Sequence, residues 1–150
     1  MRFMLHENTQ EKILLQREIE YLENYISLQK LRTASSELIS IDTDIEVYTG
    51  SLQIAPMLLI PFVENAFKHG ISMREVSHIK TSLHVRENKL YYDVYNSIHH
   101  STKNDPEVEQ HGVGLENVKQ RLQLLYPQKH ELIIRETIKE YFIHLTIKLS

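Results

Sequence analysis

Within Pro61-Phe-Val-Glu-Asn-Ala-Phe-Lys-His-Gly70, four residue types that handle charged substrates lie close together: Glu64, Asn65, Lys68 and His69. On a helix, Asn65, Lys68 and His69 stand at i, i+3 and i+4 and share a face, and Glu64 and Lys68 are four apart. A carboxylate, an amide, an ammonium and an imidazole converging there suit a metal-bound triphosphate. Downstream, Gly112-Val-Gly-Leu-Glu-Asn-Val-Lys-Gln-Arg121 reads as a short glycine-rich loop running into a helix. Such a loop lets backbone N–H groups and the positive end of the helix dipole meet phosphate oxygens. Each segment alone has an ordinary explanation: a Glu-Asn pair on a helix is more often solvated than catalytic, and Gly-x-Gly occurs in many tight turns. The apolar setting of the first (Leu58, Leu59, Phe62, Val63, Phe67) and the presence of both together favour a site.

These residues need a scaffold, and the rest of the chain supplies its signals. Asn8-Thr-Gln-Glu11 resembles a helix N-cap. Leu15, Ile19, Leu22 and Ile26 then repeat at helical spacing, with Leu14, Tyr21, Tyr25 and Leu28 widening the stripe, so a long amphipathic helix is expected to about Arg32. Its a/d-like spacing invites a partner helix as well as packing on its own domain. After the polar break Thr33-Ala-Ser-Ser36, Leu38 to Val47 reads as one or two strands. Pro56 suits the first turn of the next helix and Pro61 is expected to kink it, with Gly70 as its C′ residue. His78–Val85 and Lys89–Asn96 read as a hairpin about Glu87-Asn88, and Leu90, Tyr92 and Val94 alternate with Tyr91, Asp93 and Tyr95. Residues 98–111 are polar and aperiodic and read as a loop. Gly114–Tyr126 is helical, stopped by Pro127, and a last hairpin covers Glu131–Thr137 and Tyr141–Leu149. The order indicates an α+β fold: a mixed, mostly antiparallel sheet with helices on one face.

Composition narrows the partners. The chain has 150 residues, 41% apolar and 25% charged, enough for a true core. A net charge of −3 without a basic run argues against nucleic acid as the main partner. There is no cysteine, which removes disulfides, thiol catalysis and cysteine metal sites. No apolar run reaches the roughly 18 residues of a membrane span. The opening residues do not read as a signal peptide; Met1-Arg-Phe-Met-Leu5 reads as the continuation of something longer. The nine histidines show no metal-ligand spacing and read as surface residues, His6 and His99-His100 among them. Of the strand tyrosines, Tyr95 is the one expected near a nucleotide.

The motifs together resemble a known family. Glu64-Asn-Ala-Phe-Lys-His-Gly70 is similar to the N-box of LytS-type sensor histidine kinases. Gly112-Val-Gly-Leu-Glu-Asn-Val118 with Arg121-Leu-Gln-Leu-Leu-Tyr-Pro127 resembles their G2 box and following helix. Glu18-Ile-Glu-Tyr-Leu-Glu-Asn-Tyr-Ile-Ser-Leu-Gln-Lys-Leu-Arg32 resembles the helix leading into their catalytic domain. The resemblance implies a GHKL (Bergerat) two-layer α/β sandwich over residues 35–150, with residues 1–34 a helical segment from the dimerisation or linker region. It implies binding of ATP with Mg²⁺, phosphorylation of a histidine on a separate helical domain of the kinase dimer, and transfer to a response regulator. It also implies a cytoplasmic domain of a membrane-anchored bacterial sensor.

By position, the resemblance makes Asn65 the Mg²⁺ ligand, an oxygen donor suited to that hard ion. Glu64 would polarise the attacking imidazole or order water, Lys68 would neutralise phosphate, and His69 would contact phosphate or close the pocket. Gly112 and Gly114 would admit the phosphates beside Leu115, with Asn117 a further candidate. Arg121 would reach phosphate or pair only within its helix. Residues 98–111 would form the ATP lid. The chain departs from the family at the G1 box: Asn96 stands where an adenine-binding aspartate is expected, and Ile98 where a glycine is. Asparagine still accepts from an adenine amine but without charge assistance, which roughly doubles such a bond. The family's phospho-accepting histidine motif is not in this sequence. Two readings therefore compete with an ATP-binding kinase domain. One is a degenerate GHKL domain serving as a dimeric scaffold, and the other is an ATPase of the chaperone or topoisomerase kind. The upstream helix motif and compact size argue against the latter.

Overall fold

The computed structural model describes residues 11–99 and 111–150. The expected cap at Asn8, His6, His100 and most of the expected lid lie outside the described residues. The elements run β1 (Ile13–Leu14), α1 (Leu15–Thr33), β2 (Ile39–Ile45), β3 (Gln53–Ile54), α2 (Ile60–Gly70), β4 (Ser77–Arg86), β5 (Lys89–Ser97), α3 (His111–Leu125), β6 (His130–Glu136) and β7 (Glu140–Lys148).

Five strands form one mixed sheet in the order β2-β4-β5-β7-β6. β2 lies parallel to β4, and every other pairing is antiparallel. The alternation in the sequence fixes which face is buried, because successive side chains point to opposite sides. Leu90, Tyr92 and Val94 are buried, as are Ile143, Leu145 and Ile147. α2 lies against β4 and β5, and α1 and α3 each pack on α2. This is the α+β two-layer arrangement expected, with the helices gathered over one face of the sheet.

α1 is integral to the core. Leu15, Ile19, Leu22 and Ile26 join the same hydrophobic cluster as α2 and the sheet, each contributing about 1.5–3 kcal/mol by burial. The wider stripe does not follow them: Leu14, Tyr21 and Leu28 are exposed. Among the described residues no helix is long and apolar enough to cross a membrane.

Several boundaries differ from expectation. α1 begins at Leu15 rather than after an Asn8 cap, because Ile13 and Leu14 pair with Ile54 and Gln53, and the Leu15 N–H bonds to the Leu52 carbonyl at 2.9 Å. Leu38–Val47 supplies a single strand, the lower of the two numbers expected, and it is shorter at both ends. Pro56 lies ahead of α2, and Pro61 occupies its first turn, where a missing N–H is harmless, so it does not kink the helix. Gly70 is the last helical residue, with no left-handed φ. Its reason is space: a Cβ there would stand 2.6 Å from the Asn96 Cβ. α3 begins at His111, so Gly112 and Gly114 belong to its first turn rather than to a loop before it.

Candidate functional site

α2 does not hold its four polar residues on one surface: of the four, Glu64 and Lys68 line the cleft beside α1. Glu64 and Lys68 are exposed, His69 is half-buried, and Asn65 is buried at 8% exposure. The helix is amphipathic because Phe62, Val63, Ala66 and Phe67 fill the core face, leaving these four around the rest. Glu64 and Lys68 line a cleft of about 610 Å³ with Tyr25, Gln29, Arg32 and Thr33 of α1, and with Phe67, Ile71 and Met73. Tyr25 packs edge-on to Phe67 with ring centroids 6.0 Å apart. Its hydroxyl pKa is raised, first by burial and then by the Glu64 carboxylate, against a lowering pull from Arg32.

Asn65 carries the clearest sign of unmet demand. Its Nδ2 is buried and has no hydrogen-bond partner among the described residues. A buried amide end left unpaired costs about 1–3 kcal/mol and calls for an explanation. The oxygen and nitrogen of the amide can exchange by a flip, so either can be the unpaired end, and an amide oxygen is a ligand type that Mg²⁺ accepts alongside substrate phosphates and water.

Asn96 lies at the end of β5 on the helix-facing side, opposite Ile79 and Tyr141. It is 2% exposed, and its Nδ2 donates to the Ser97 carbonyl at 2.8 Å. The fold thus brings Asn96 directly beneath Gly70, the end of the helix that carries Asn65. Tyr95 does not come with it. It stands on the opposite face of the sheet, 4.8 Å from the Phe142 ring, with its hydroxyl donating to Glu140 at 3.2 Å. The helix-facing aromatic next to Asn96 is instead Tyr141, whose pKa burial and Glu136 both raise.

On α3, Leu115 is buried while Gly114 and Asn117 are exposed. Among the described residues, a Cβ at Gly114 would meet nothing within 4 Å. The open space is compatible with a ligand approaching the first turn of α3, and α2 and α3 are in contact.

No protein-family model and no curated protein matches the chain. Solved structures do. The nucleotide-free catalytic domain of histidine kinase ThkA has a TM-score of 0.60 at 13% identity, over 92% of this chain and 94% of that one. A histidine kinase from Burkholderia phymatum STM815 reaches 0.65 at 11% identity, over 99% and 76%. Full-length ShkA in complex with AMPPNP reaches 0.64 at 12%, over 93% of this chain and 31% of that one. The fold is that of a histidine kinase catalytic domain. At 11 to 13% identity the likeness concerns the fold; the chemistry rests on the residues themselves.

In this histidine kinase fold three further residues stand out that the sequence did not single out correctly. Glu18 of α1 is fully buried and accepts from the N–H groups of Met57 at 3.1 Å, Leu58 at 3.1 Å and Leu59 at 3.3 Å. Its signal was a carboxylate inside an apolar stripe. Arg121 reaches out of α3: it donates to the carbonyls of Pro56 at 2.8 Å and Met57 at 3.1 Å. His99 is not a surface residue. It is 7% exposed, with Nδ1 2.6 Å from Glu75 Oε2 and Nε2 3.1 Å from Ser77 Oγ, 3.3 Å from Ser97 Oγ and 3.3 Å from the Gly70 carbonyl. It ties the end of β5 to the end of α2, a contact between segments far apart in sequence.

Proposed function

We propose that this chain is the ATP-binding catalytic domain of a two-component sensor histidine kinase of the LytS type. It would position Mg-ATP for transfer of a phosphoryl group to a histidine outside this segment. The observation that carries the reading is Asn65: a buried amide with an uncommitted end, on the central helix of a fold shared with histidine kinase catalytic domains. One such structure, ShkA, holds AMPPNP.

In this reading Asn65 holds Mg²⁺ through its amide oxygen, and Lys68 neutralises phosphate charge. The N–H groups around Gly112 and Gly114, with Leu115 and Asn117 next to them, receive phosphate oxygens. His69 contacts phosphate or closes the pocket, and Asn96 accepts from the adenine amine. Glu64, exposed at the cleft with Arg32 and Tyr25, polarises an incoming imidazole or orders water near the metal. When bound, Mg-ATP supplies the phosphoryl group; the protein's part in such reactions is mostly positioning and charge compensation. The partners are then the acceptor helix of the same kinase, with a homodimer as the working unit, and a response regulator. The setting is the cytoplasmic side of a membrane-anchored bacterial sensor.

A second reading, a degenerate GHKL domain acting as a dimeric scaffold, is favoured by Asn96. Its Nδ2 is already engaged with Ser97 and it is almost wholly buried. Calorimetric titration with Mg-ATP separates the two. Micromolar to submillimolar binding that Asn65→Ala abolishes supports the kinase domain; no heat at millimolar ATP leaves the scaffold.

A further inference from the structure

Residues Pro56–Leu59, the turn that launches α2, are gripped from two sides by helices that are not their sequence neighbours. Glu18 of α1 takes the N–H groups of Met57, Leu58 and Leu59. Arg121 of α3 donates to the carbonyls of Pro56 and Met57. Two more bonds hold the flanks: the Tyr126 hydroxyl accepts from the Ala55 N–H at 2.9 Å, and the Tyr92 hydroxyl donates to the Leu59 carbonyl at 2.8 Å. The turn needs such holding. Met57 sits at φ 62°, a left-handed conformation that a side chain disfavours. The N-terminus of α2 also has no capping side chain of its own, so its approach is satisfied in trans by a carboxylate from α1.

We propose that Glu18 and Arg121 are positioning residues: by locking this turn between α1 and α3 they set where α2 presents Asn65, and in what register α2 faces the first turn of α3. The proposal rests on the nucleotide reading above for what Asn65 does. The turn ends six residues before Asn65, about one and two-thirds helical turns, so a shift of the turn moves Asn65 as part of a rigid rod. The same arginine stands seven residues beyond Gly114, two turns along α3, so the clamp ties both candidate phosphate-binding segments to one point. It also makes α1 a lever on both, because among the described residues no other carboxylate accepts from this turn.

Arg121→Ala and Arg121→Lys are made in the whole chain, with Glu18→Gln as a second probe. Arg121 is partly exposed and α3 keeps Leu115, Val118 and Leu122 in the core, so the arginine variants fold even if the buried Glu18→Gln does not. Two readouts are taken: amide hydrogen exchange along residues 60–70 and 140–148, and Mg-ATP affinity by calorimetry. The expected result for Arg121→Ala is exchange in α2 faster by roughly tenfold or more with β7 unchanged, and Mg-ATP binding weakened by roughly tenfold. Arg121→Lys, keeping one donor, falls between. Unchanged α2 exchange overturns the clamp, and faster exchange with undiminished affinity overturns its role in positioning Asn65. If the wild-type chain binds no nucleotide, it is the nucleotide reading that has failed, and α2 exchange alone decides whether the clamp exists.

Discussion

At the residue scale, Asn65 and the two glycines make opposed forecasts. Asn65→Ala removes an amide end that has no partner among the described residues, so it sacrifices no internal hydrogen bond. Its unfolding free energy by urea denaturation should stay within about 1 kcal/mol of wild type, while Mg-ATP binding disappears. A large loss of stability would mean the amide is a structural group. Gly70→Ala forces a methyl to 2.6 Å from Asn96 Cβ and 3.1 Å from its Nδ2, neither of them the loose end of a long side chain. Overpacking of this kind costs about 1–3 kcal/mol, readable in the same denaturation. Gly114→Ala meets open space inside a helix and should gain about 0.5–1 kcal/mol. If phosphates approach that turn, the stabilised variant binds Mg-ATP more weakly; equal affinity would remove Gly114 from the site.

Asn96→Asp tests the departure from the family pattern. An aspartate restores a charged acceptor for adenine but cannot donate to the Ser97 carbonyl, and it buries a charge at a position 2% exposed. Without nucleotide the variant should be less stable by about 1–3 kcal/mol. If the base binds there, Mg-ATP should recover part of that loss in thermal denaturation.

At the scale of elements, α1 is the one whose role the tertiary structure changes most. Its spacing announces an amphipathic helix, yet it contributes both core and cap: Leu15 and Leu22 are fully buried and Glu18 serves the turn before α2. Leu22→Ala should cost about 2–5 kcal/mol. A chain beginning at residue 35 should lose the cooperative thermal transition, since it forfeits four core residues and leaves three N–H groups unsatisfied. A sharp transition in that truncation would show α1 to be dispensable. α2 and the hairpins follow their sequence signals closely because alternation and the 3.6 period directly encode which side chains face inward. Caps and boundaries do not, because they depend on partners elsewhere: β3 for the start of α1, Asn96 for Gly70.

At the scale of the whole molecule, the tyrosines set the alkaline limit. Tyr92 is raised well above its ordinary 10.0, by burial first and then by Glu18. Tyr25, Tyr126 and Tyr141 are raised as well, burial leading in each. Below pH 10 folded and unfolded chains both keep these protons, so they impose no pH dependence. Above it the unfolded chain ionises first, binds fewer protons than the native state, and stability falls as pH rises. Denaturation midpoints should therefore be insensitive to these groups below pH 10 and drop beyond it. Tyr92→Phe, which cannot ionise, should flatten that drop; an unchanged slope would assign it to other residues.

By itself the sequence determined the order of the main helices and strands, the inward faces of β5 and β7, the helix bearing Asn65 and the α+β class, because periodicity is a local record of burial. It also put Glu64, Asn65, Lys68 and His69 on one helix, but only the tertiary structure decided that Glu64 and Lys68 face the cleft while Asn65 is buried. Only the tertiary structure decided that Asn96 lies beneath Gly70, that Tyr141 rather than Tyr95 shares its face, and that His99 is interior. It alone joined Glu18, Pro56–Leu59 and Arg121 into one clamp. Those contacts join residues 20 to 70 positions apart, and a chain's local pattern holds no term for which distant backbone group a buried carboxylate or guanidinium will meet.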